Sequence, residues 1–298
     1  MSRTPACLLN RTIENYLPRA AARKAHDHKM ALRPGHHLVY FPQFTSLPEG
    51  ELLLDGTDPL QSPGEPFNRR MWAGGRMKFQ SDKDLIFATM PTLRCHERIS
   101  DVTVKGLPGN EKAFVNIERR IEAAGRENAS LSETGIIIED RSIVFMRENF
   151  AKKTKGLNEV VNKILKPSHE PTYSHEIIPS PTLLFRFSAL TFNAHRIHLD
   201  KQYCFDIEGH RNLLVHGPLS LILILEVLQH HLTYEEGYRN ACKAIKEIEY
   251  RNLAPLYAEE MMRICGRKNG EGKYEVWIEG KYGGLAVKGV VTVGSPDE

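Results

Sequence analysis

The chain has no apolar run approaching the roughly 20 residues that span a bilayer. Its most apolar stretch, Leu213 to Leu232, is broken by His216, Gly217, Pro218, Glu226, Gln229 and two more histidines. That pattern predicts a buried helix and no membrane insertion. There is no Cys-x-x-Cys pair: the five cysteines, Cys7, Cys95, Cys204, Cys242 and Cys265, are dispersed. An odd, scattered set predicts free thiols in a reducing compartment. No large excess of either charge sign exists, the net being +3, so no nucleic-acid partner is expected. No Gly-x-Gly-x-x-Gly follows a strand, and no Walker loop is present, since Gly270 to Tyr274 has neither its spacing nor its Ser/Thr. No Gly-x-Ser-x-Gly elbow and no His-Glu-x-x-His occur either. These absences weigh against nucleotide hydrolysis, dinucleotide redox chemistry, serine hydrolysis and zincin chemistry. The first thirty or so residues lack a secretory apolar core, and Ser295 to Glu298 is not a peroxisomal address.

What is present suits packed domains. The 298 residues are 41 % apolar and 26 % charged, enough for about two domains of ordinary size. Arg3, Arg11, Arg19, Arg23 and Lys24 stand against one early acid, Glu14, which fits either an organelle transit segment or a solvated helical lead-in. Residues 1–35 are therefore read as an N-terminal extension and the chain as mitochondrial, with the cytoplasm as alternative. A Pro-, Gly- and acid-rich loop runs from Leu47 to Pro66, followed by a basic and aromatic run, Phe67 to Arg76. Segments rich in β-branched and aromatic residues follow at Asp84–Met90, Ser100–Lys105, Ala113–Glu122 and Gly135–Arg147, punctuated at Gly106–Asn110 and Ala124–Thr134. They predict an antiparallel sheet over 36–150.

Residues 151–180 read as a linker with a Lys-rich helix-like piece. The second half, 181–298, opens on Ser180-Pro181-Thr182, a cap residue followed by proline that starts a helix. A periodic segment Leu183–Phe192 follows, then a helix over Gly217–His231. Strand patterns end the chain at Ala244–Arg251, Met261–Arg267, Tyr274–Glu279 and Leu285–Val293. Helix against antiparallel strands is an α+β layer, and the two halves, similar in size and both ending in strands, suggest a duplicated architecture without a residue-level repeat.

The chemistry-bearing stretch is Phe187 to Asp200, with Asn193 and His198 on a turn leaving an apolar helix, followed by Val215-His216-Gly217 at the start of the most buried helix. Histidine, with its near-neutral pKa, is suited to moving a proton. A helix N-terminus beginning on glycine offers backbone N–H groups to a developing oxyanion and lets a substrate approach closely.

This run resembles the hydratase motif of the MaoC-like, R-specific enoyl-CoA hydratase superfamily, in which an acid, Asn-Pro and His-Asp precede a Val-His-Gly helix start. More closely, the chain is similar to the group of fungal mitochondrial 3-hydroxyacyl-thioester dehydratases type 2 and bacterial mesaconyl-C4-CoA hydratases. Pro66–Gly75, Leu190–His198, Val215–Pro218 and Tyr250–Leu256 carry that resemblance. It implies a double hotdog, two hotdog repeats each with an antiparallel sheet around a central helix, and one active site at their interface, with the chemistry in the C-terminal half. It implies a cofactor-free hydro-lyase acting on a 3-hydroxyacyl or short dicarboxylic acyl thioester of coenzyme A or acyl carrier protein. His198 matches the family's catalytic histidine and Gly217 its oxyanion donor. Asn193 stands where the wider superfamily has an aspartate. An amide cannot take up a proton as a carboxylate can, so Asn193 is expected to orient water or hydroxyl while His198 does the acid/base work. A homodimer is a further expectation.

Each assignment has a plainer reading. Asn193 could only cap a helix, since Asn tolerates left-handed geometry. His195, His198, His210 and His216 could bind metal, but no cysteine or carboxylate completes a set, and no metal is expected. Arg69, Arg70 and Trp72 fit either a solvated loop or a site for the phosphates of the thioester carrier; His216 is expected to shape the helix start. The pairs His36-His37 and His230-His231 are read as surface residues, and Cys204 is given no role. Two rival functions remain: a hotdog thioesterase, which would want a carboxylate on the central helix where only Glu226 stands, and a non-catalytic acyl-binding subunit.

Overall fold

A computed structural model of the chain describes residues 2–18, 32–42, 47–80, 92–123, 137–147, 165–234 and 244–294. One nine-stranded antiparallel sheet runs through both halves. Its strands are β1 (Arg69–Phe79), β2 (Leu93–Lys105), β3 (Lys112–Ala123), β4 (Ile137–Met146), β5 (Tyr173–Ile177), β6 (Ala244–Asn252), β7 (Met262–Lys268), β8 (Lys273–Glu279) and β9 (Leu285–Gly294). The order β2-β3-β4-β1-β6-β9-β8-β7-β5 keeps the first four strands together and the last five together, joined where β1 pairs with β6. This is the double hotdog sheet. Three helices of ten residues or more accompany it among the described residues: α1 (Thr4–Ile13), α2 (Pro181–Thr191) and α3 (Gly217–Tyr234).

From Leu219 to Leu228 α3 is buried on every side and almost wholly apolar, the pattern of a core helix. Leu219, Leu221, Leu223 and Leu228 are wholly inaccessible to solvent. Truncating one of them to alanine would cost about 2–5 kcal/mol, the lost transfer energy plus the cavity left behind. The one acid of this helix, Glu226, is buried and held by Arg33 Nη1 at 2.6 Å and His36 Nε2 at 2.8 Å. Burial alone would raise its pKa, but these partners outweigh that and hold it below the usual carboxylate value. α2 starts where the Ser180 hydroxyl accepts from Leu183 N–H, 3.1 Å, the capping predicted from sequence.

The strands of the second half and those at 100–105, 113–122 and 137–146 lie where the patterning puts them. The run Phe67–Arg76 does not form a solvated loop: most of it is β1, the strand that joins the halves. Gly74 and Gly75 mask it in the sequence, yet both are required. A Cβ on Gly74, whose φ is +151°, would sit 2.3 Å from the Tyr250 carbonyl oxygen, and one on Gly75 would sit 2.2 Å from that of Asp140. Glycine thus lets β1 press between β4 and β6. β5 falls inside the span read as linker and belongs to the second half's sheet edge. The N-terminal span is not merely an extension, because α1 buries Ala6, Leu9 and Ile13 and its Ala6 N–H donates to Tyr40 Oη. In the first half, the described residues of the layer over the sheet are short turns at His36–Val39, Glu49–Glu51 and Pro59–Gln61, so the described long central helix is α3 alone. The expected segments 84–90, 124–134 and 151–164 lie outside the described residues.

The histidine pairs also differ from expectation. His36 and His37 are buried, and His37 lies 3.5 Å from Glu139 in an ion cluster completed by Arg119 and Arg141. His231 is half-buried and stacks on Tyr173, ring centroids 4.1 Å apart. Sequence adjacency alone carries no sign of burial, and the paired polar groups that make burial affordable come from distant strands.

Candidate active site

A cavity of about 880 Å³ opens between the two halves. From the second half it is lined by Asn193, His195, His198, His216, Gly217 and Asn252, and from the first by Arg70, Trp72 and Arg141. The sheet join and the start of α3 explain why these residues meet.

His198 ends a single 3₁₀ turn, Arg196–His198, just beyond α2. It is buried, and its Nδ1 lies 2.8 Å from the Leu214 carbonyl oxygen. A carbonyl only accepts, so Nδ1 carries the proton and Nε2 the lone pair. Burial pulls its pKa down to about 4, against the opposing pull of the Leu214 hydrogen bond, so the ring is neutral near pH 7. The imidazole of His216 stacks on it, 3.6 Å between centroids and 19° between planes. His216 Nε2 is in turn 2.9 Å from Ser188 Oγ on α2. Burial, with His198 and His195 nearby, holds the His216 pKa well below 6.5. His198 is thereby fixed in plane by a neighbour and in tautomer by a backbone carbonyl.

Asn193 is not the helix cap. The left-handed residue ending α2 is Phe192, φ 52°. Asn193 follows it, its side-chain oxygen accepting the His195 N–H at 3.0 Å, an Asx turn that shapes the approach to His198. His195 is buried, its edge 5.6 Å from His198 by ring centroids and its Nε2 3.5 Å from Asp55 Oδ2. Asp55 belongs to the loop read only as Pro- and acid-rich. Its carbonyl accepts Arg196 N–H at 2.8 Å, docking the first half onto the His-bearing turn. Nothing local in the sequence marked it. The described residues contain no group of three or more His, Cys, Asp or Glu arranged to hold a metal ion.

Gly217 begins α3, so its N–H has no acceptor within the helix. A Cβ here would meet Asn252 Nδ2 at 3.0 Å and Trp72 Cβ at 3.2 Å, which explains the glycine. Trp72 itself faces the cavity, its Nε1–H donating to Tyr250 Oη at 2.8 Å and its ring lying 4.6 Å beneath the Arg141 guanidinium carbon.

The two arginines part company. Arg70 lines the cavity and lies over Phe145, 5.0 Å to the ring centroid. Arg69 points elsewhere on the strand and is engaged by Glu208, through Nε to Oε2 at 2.6 Å and Nη2 to the carbonyl at 2.8 Å. Adjacent residues on a strand face opposite sides, which separates two arginines that the sequence offers together. Cys204 is buried against the Ile197 carbonyl, its thiol pushed up to about 11 by burial.

The family model for hydroxyacyl-thioester dehydratase type 2 matches residues 35–258. The chain is 29 % identical over 305 residues to the mitochondrial hydroxyacyl-thioester dehydratase type 2 of Schizosaccharomyces pombe, covering 94 % of this chain and 90 % of that one. It is 31 % identical to mesaconyl-C(4)-CoA hydratase of Chloroflexus aurantiacus, covering 88 % and 84 %. In fold it is similar to a MaoC-like dehydratase from Phytophthora capsici, with a TM-score of 0.64 at 13 % identity over 98 % of this chain and 93 % of that one. With three quarters of its length matched by that family model, the chain belongs to the hydroxyacyl-thioester dehydratase type 2 family.

Proposed function

We propose that the chain is a hydro-lyase that reversibly dehydrates a 3-hydroxyacyl, or short dicarboxylic acyl, thioester of coenzyme A or acyl carrier protein. The observation that carries this reading is a buried neutral histidine, His198, whose unprotonated Nε2 shares one cavity with the N-terminus of α3. In the dehydrating direction, the C2–H bond breaks and the proton moves to Nε2. The electron pair forms an enolate with its charge on the thioester oxygen, where the Gly217 N–H is the donor. The C3–O bond then breaks as C2=C3 forms, and the departing hydroxyl takes the proton from His198 and leaves as water. Asn193 shapes the turn and orients the hydroxyl or water. Trp72 and His216 line the acyl site, and Arg70 rather than Arg69 is the group for a carrier phosphate or a distal carboxylate. No cofactor enters these steps.

The thioesterase alternative is weakened by Glu226, whose two oxygens are taken by Arg33 and His36. The resemblance to a mitochondrial relative supports a mitochondrial location, testable by imaging a C-terminal fluorescent fusion. The homodimer remains part of this proposal, testable by light scattering. For the activity itself, incubation with crotonyl-CoA should remove the enoyl-thioester absorbance without releasing thiol. Free thiol would indicate a thioesterase instead. Unchanged absorbance with both this thioester and a mesaconyl one would count against the enzyme reading.

A further inference from the structure

We infer that Asn252, at the end of β6, is a second donor to the thioester oxygen, paired with the Gly217 N–H across the mouth of α3. The inference rests on the hydro-lyase reading above and adds to it a residue from the far end of the chain.

The orientation of the Asn252 amide is settled by its neighbour. Its Nδ2 lies 2.8 Å from the Trp72 carbonyl oxygen, which only accepts, so the NH₂ group and not the oxygen faces β1. An NH₂ group has two protons. One goes to Trp72, and among the described residues no acceptor takes the second. Asn252 lines the cavity. The same nitrogen lies 3.0 Å from where a Gly217 Cβ would be, so the amide sits directly against the first residue of α3. An N–H donor from the backbone and one from a side chain therefore stand side by side on the cavity wall. Glycine at 217 permits this approach, since any side chain there would press on both Asn252 and Trp72.

Catalytic benefit follows from what is fixed in advance. An oxyanion donor contributes most when it needs no reorganisation as charge develops. The Trp72 carbonyl holds the Asn252 amide in one plane. Trp72 is itself held by Tyr250 Oη, 2.8 Å, and by the Arg141 guanidinium 4.6 Å from its ring. Arg141 is anchored by Glu139 at 2.6 Å. The donor is thus braced through β1 and β4 of the first half, giving that half a part in the chemistry as well as in lining the cavity.

The test uses Asn252→Ala, and Asn252→Asp as the near-isosteric variant should the alanine protein fold poorly. Two quantities are read on the full chain: kcat and KM for crotonyl-CoA hydration, and the infrared carbonyl stretch of bound, unreactive butyryl-CoA. The inference predicts that kcat falls about 10²-fold or more in both variants, as on removing one preorganised donor, with KM changed little. It also predicts that the carbonyl band moves back toward that of the free thioester. If Asn252 only braces Trp72, melting temperature and KM change while the kcat of folded protein and the carbonyl band stay as in wild type, and the inference is overturned. An inactive wild type would sink the hydro-lyase reading alone, because the band comparison still decides the role of Asn252.

Discussion

His198 Nδ1 lies 2.8 Å from the Leu214 carbonyl oxygen, and this one contact decides which ring nitrogen can do chemistry. Leu214 precedes the Val215-His216-Gly217 start of α3. The carbonyl that fixes the His198 tautomer therefore stands three residues before the glycine that opens α3.

Arg69 and Arg70 should separate cleanly. Arg70→Ala should raise KM for a coenzyme A substrate with kcat nearly unchanged, the signature of lost uniform binding. It should matter far less for the phosphate-free N-acetylcysteamine thioester. Arg69→Ala should instead lower the melting temperature, since Glu208 loses its partner, with little effect on either KM. Equal KM changes for Arg70→Ala on both substrates would remove its phosphate role.

Asn193 supports two effects that one pair of mutants can resolve. Asn193→Asp keeps the acceptor for His195 N–H and restores a carboxylate at this position, so folding and substantial turnover should survive with a new acidic limb in the pH profile. Asn193→Ala loses the Asx turn, at about 1 kcal/mol by analogy with a lost cap, and should cost about 10²-fold in rate if the amide also orients water. A slightly destabilised Asn193→Ala protein with undiminished turnover would confine Asn193 to shaping the loop.

Acid should act on stability through the buried histidines. The folded-state pKa of His198 is lowered to about 4, chiefly by burial, and His195 and His216 lie well below the ordinary 6.5 for the same reason. Between those values the unfolded chain binds more protons than the folded one, so stability rises with pH there. Their contribution is full above about pH 6.5 and is lost as pH falls toward 4. Denaturant midpoints should be flat from pH 7 to 8 and fall steeply below about 6, and the kcat/KM profile should show no inflection near 6.5. A midpoint independent of pH between 4 and 7 would contradict the neutral buried cluster.

Much of this site was legible in the sequence, and the reasons differ by residue. The turn bearing His198 and the glycine opening α3 are visible as short local patterns, but their roles in the candidate site come from the family resemblance and not from the pattern itself. The second-half strands were legible from alternation, and α3 from its unbroken apolar run. β1 was missed because the glycines that let it pass between β4 and β6 look like turn residues until those neighbours are known. Asp55 and Asn252 were missed because their importance is relational: one touches His195 across 140 residues of chain, the other Trp72 across 180. His36 and His37 were misread because Glu226 and Glu139, which justify their burial, lie on other elements.

The central claim is that His198 Nε2 moves the proton. The most direct measurement is the rate of crotonyl-CoA hydration by His198→Gln beside wild type, on samples shown to be equally folded by circular dichroism. Glutamine fills much of the ring's space but cannot exchange a proton at neutral pH. The account predicts a loss of about 10²–10⁴-fold. A folded His198→Gln protein keeping more than about a tenth of the wild-type rate, well short of what an acid/base group contributes, would contradict it.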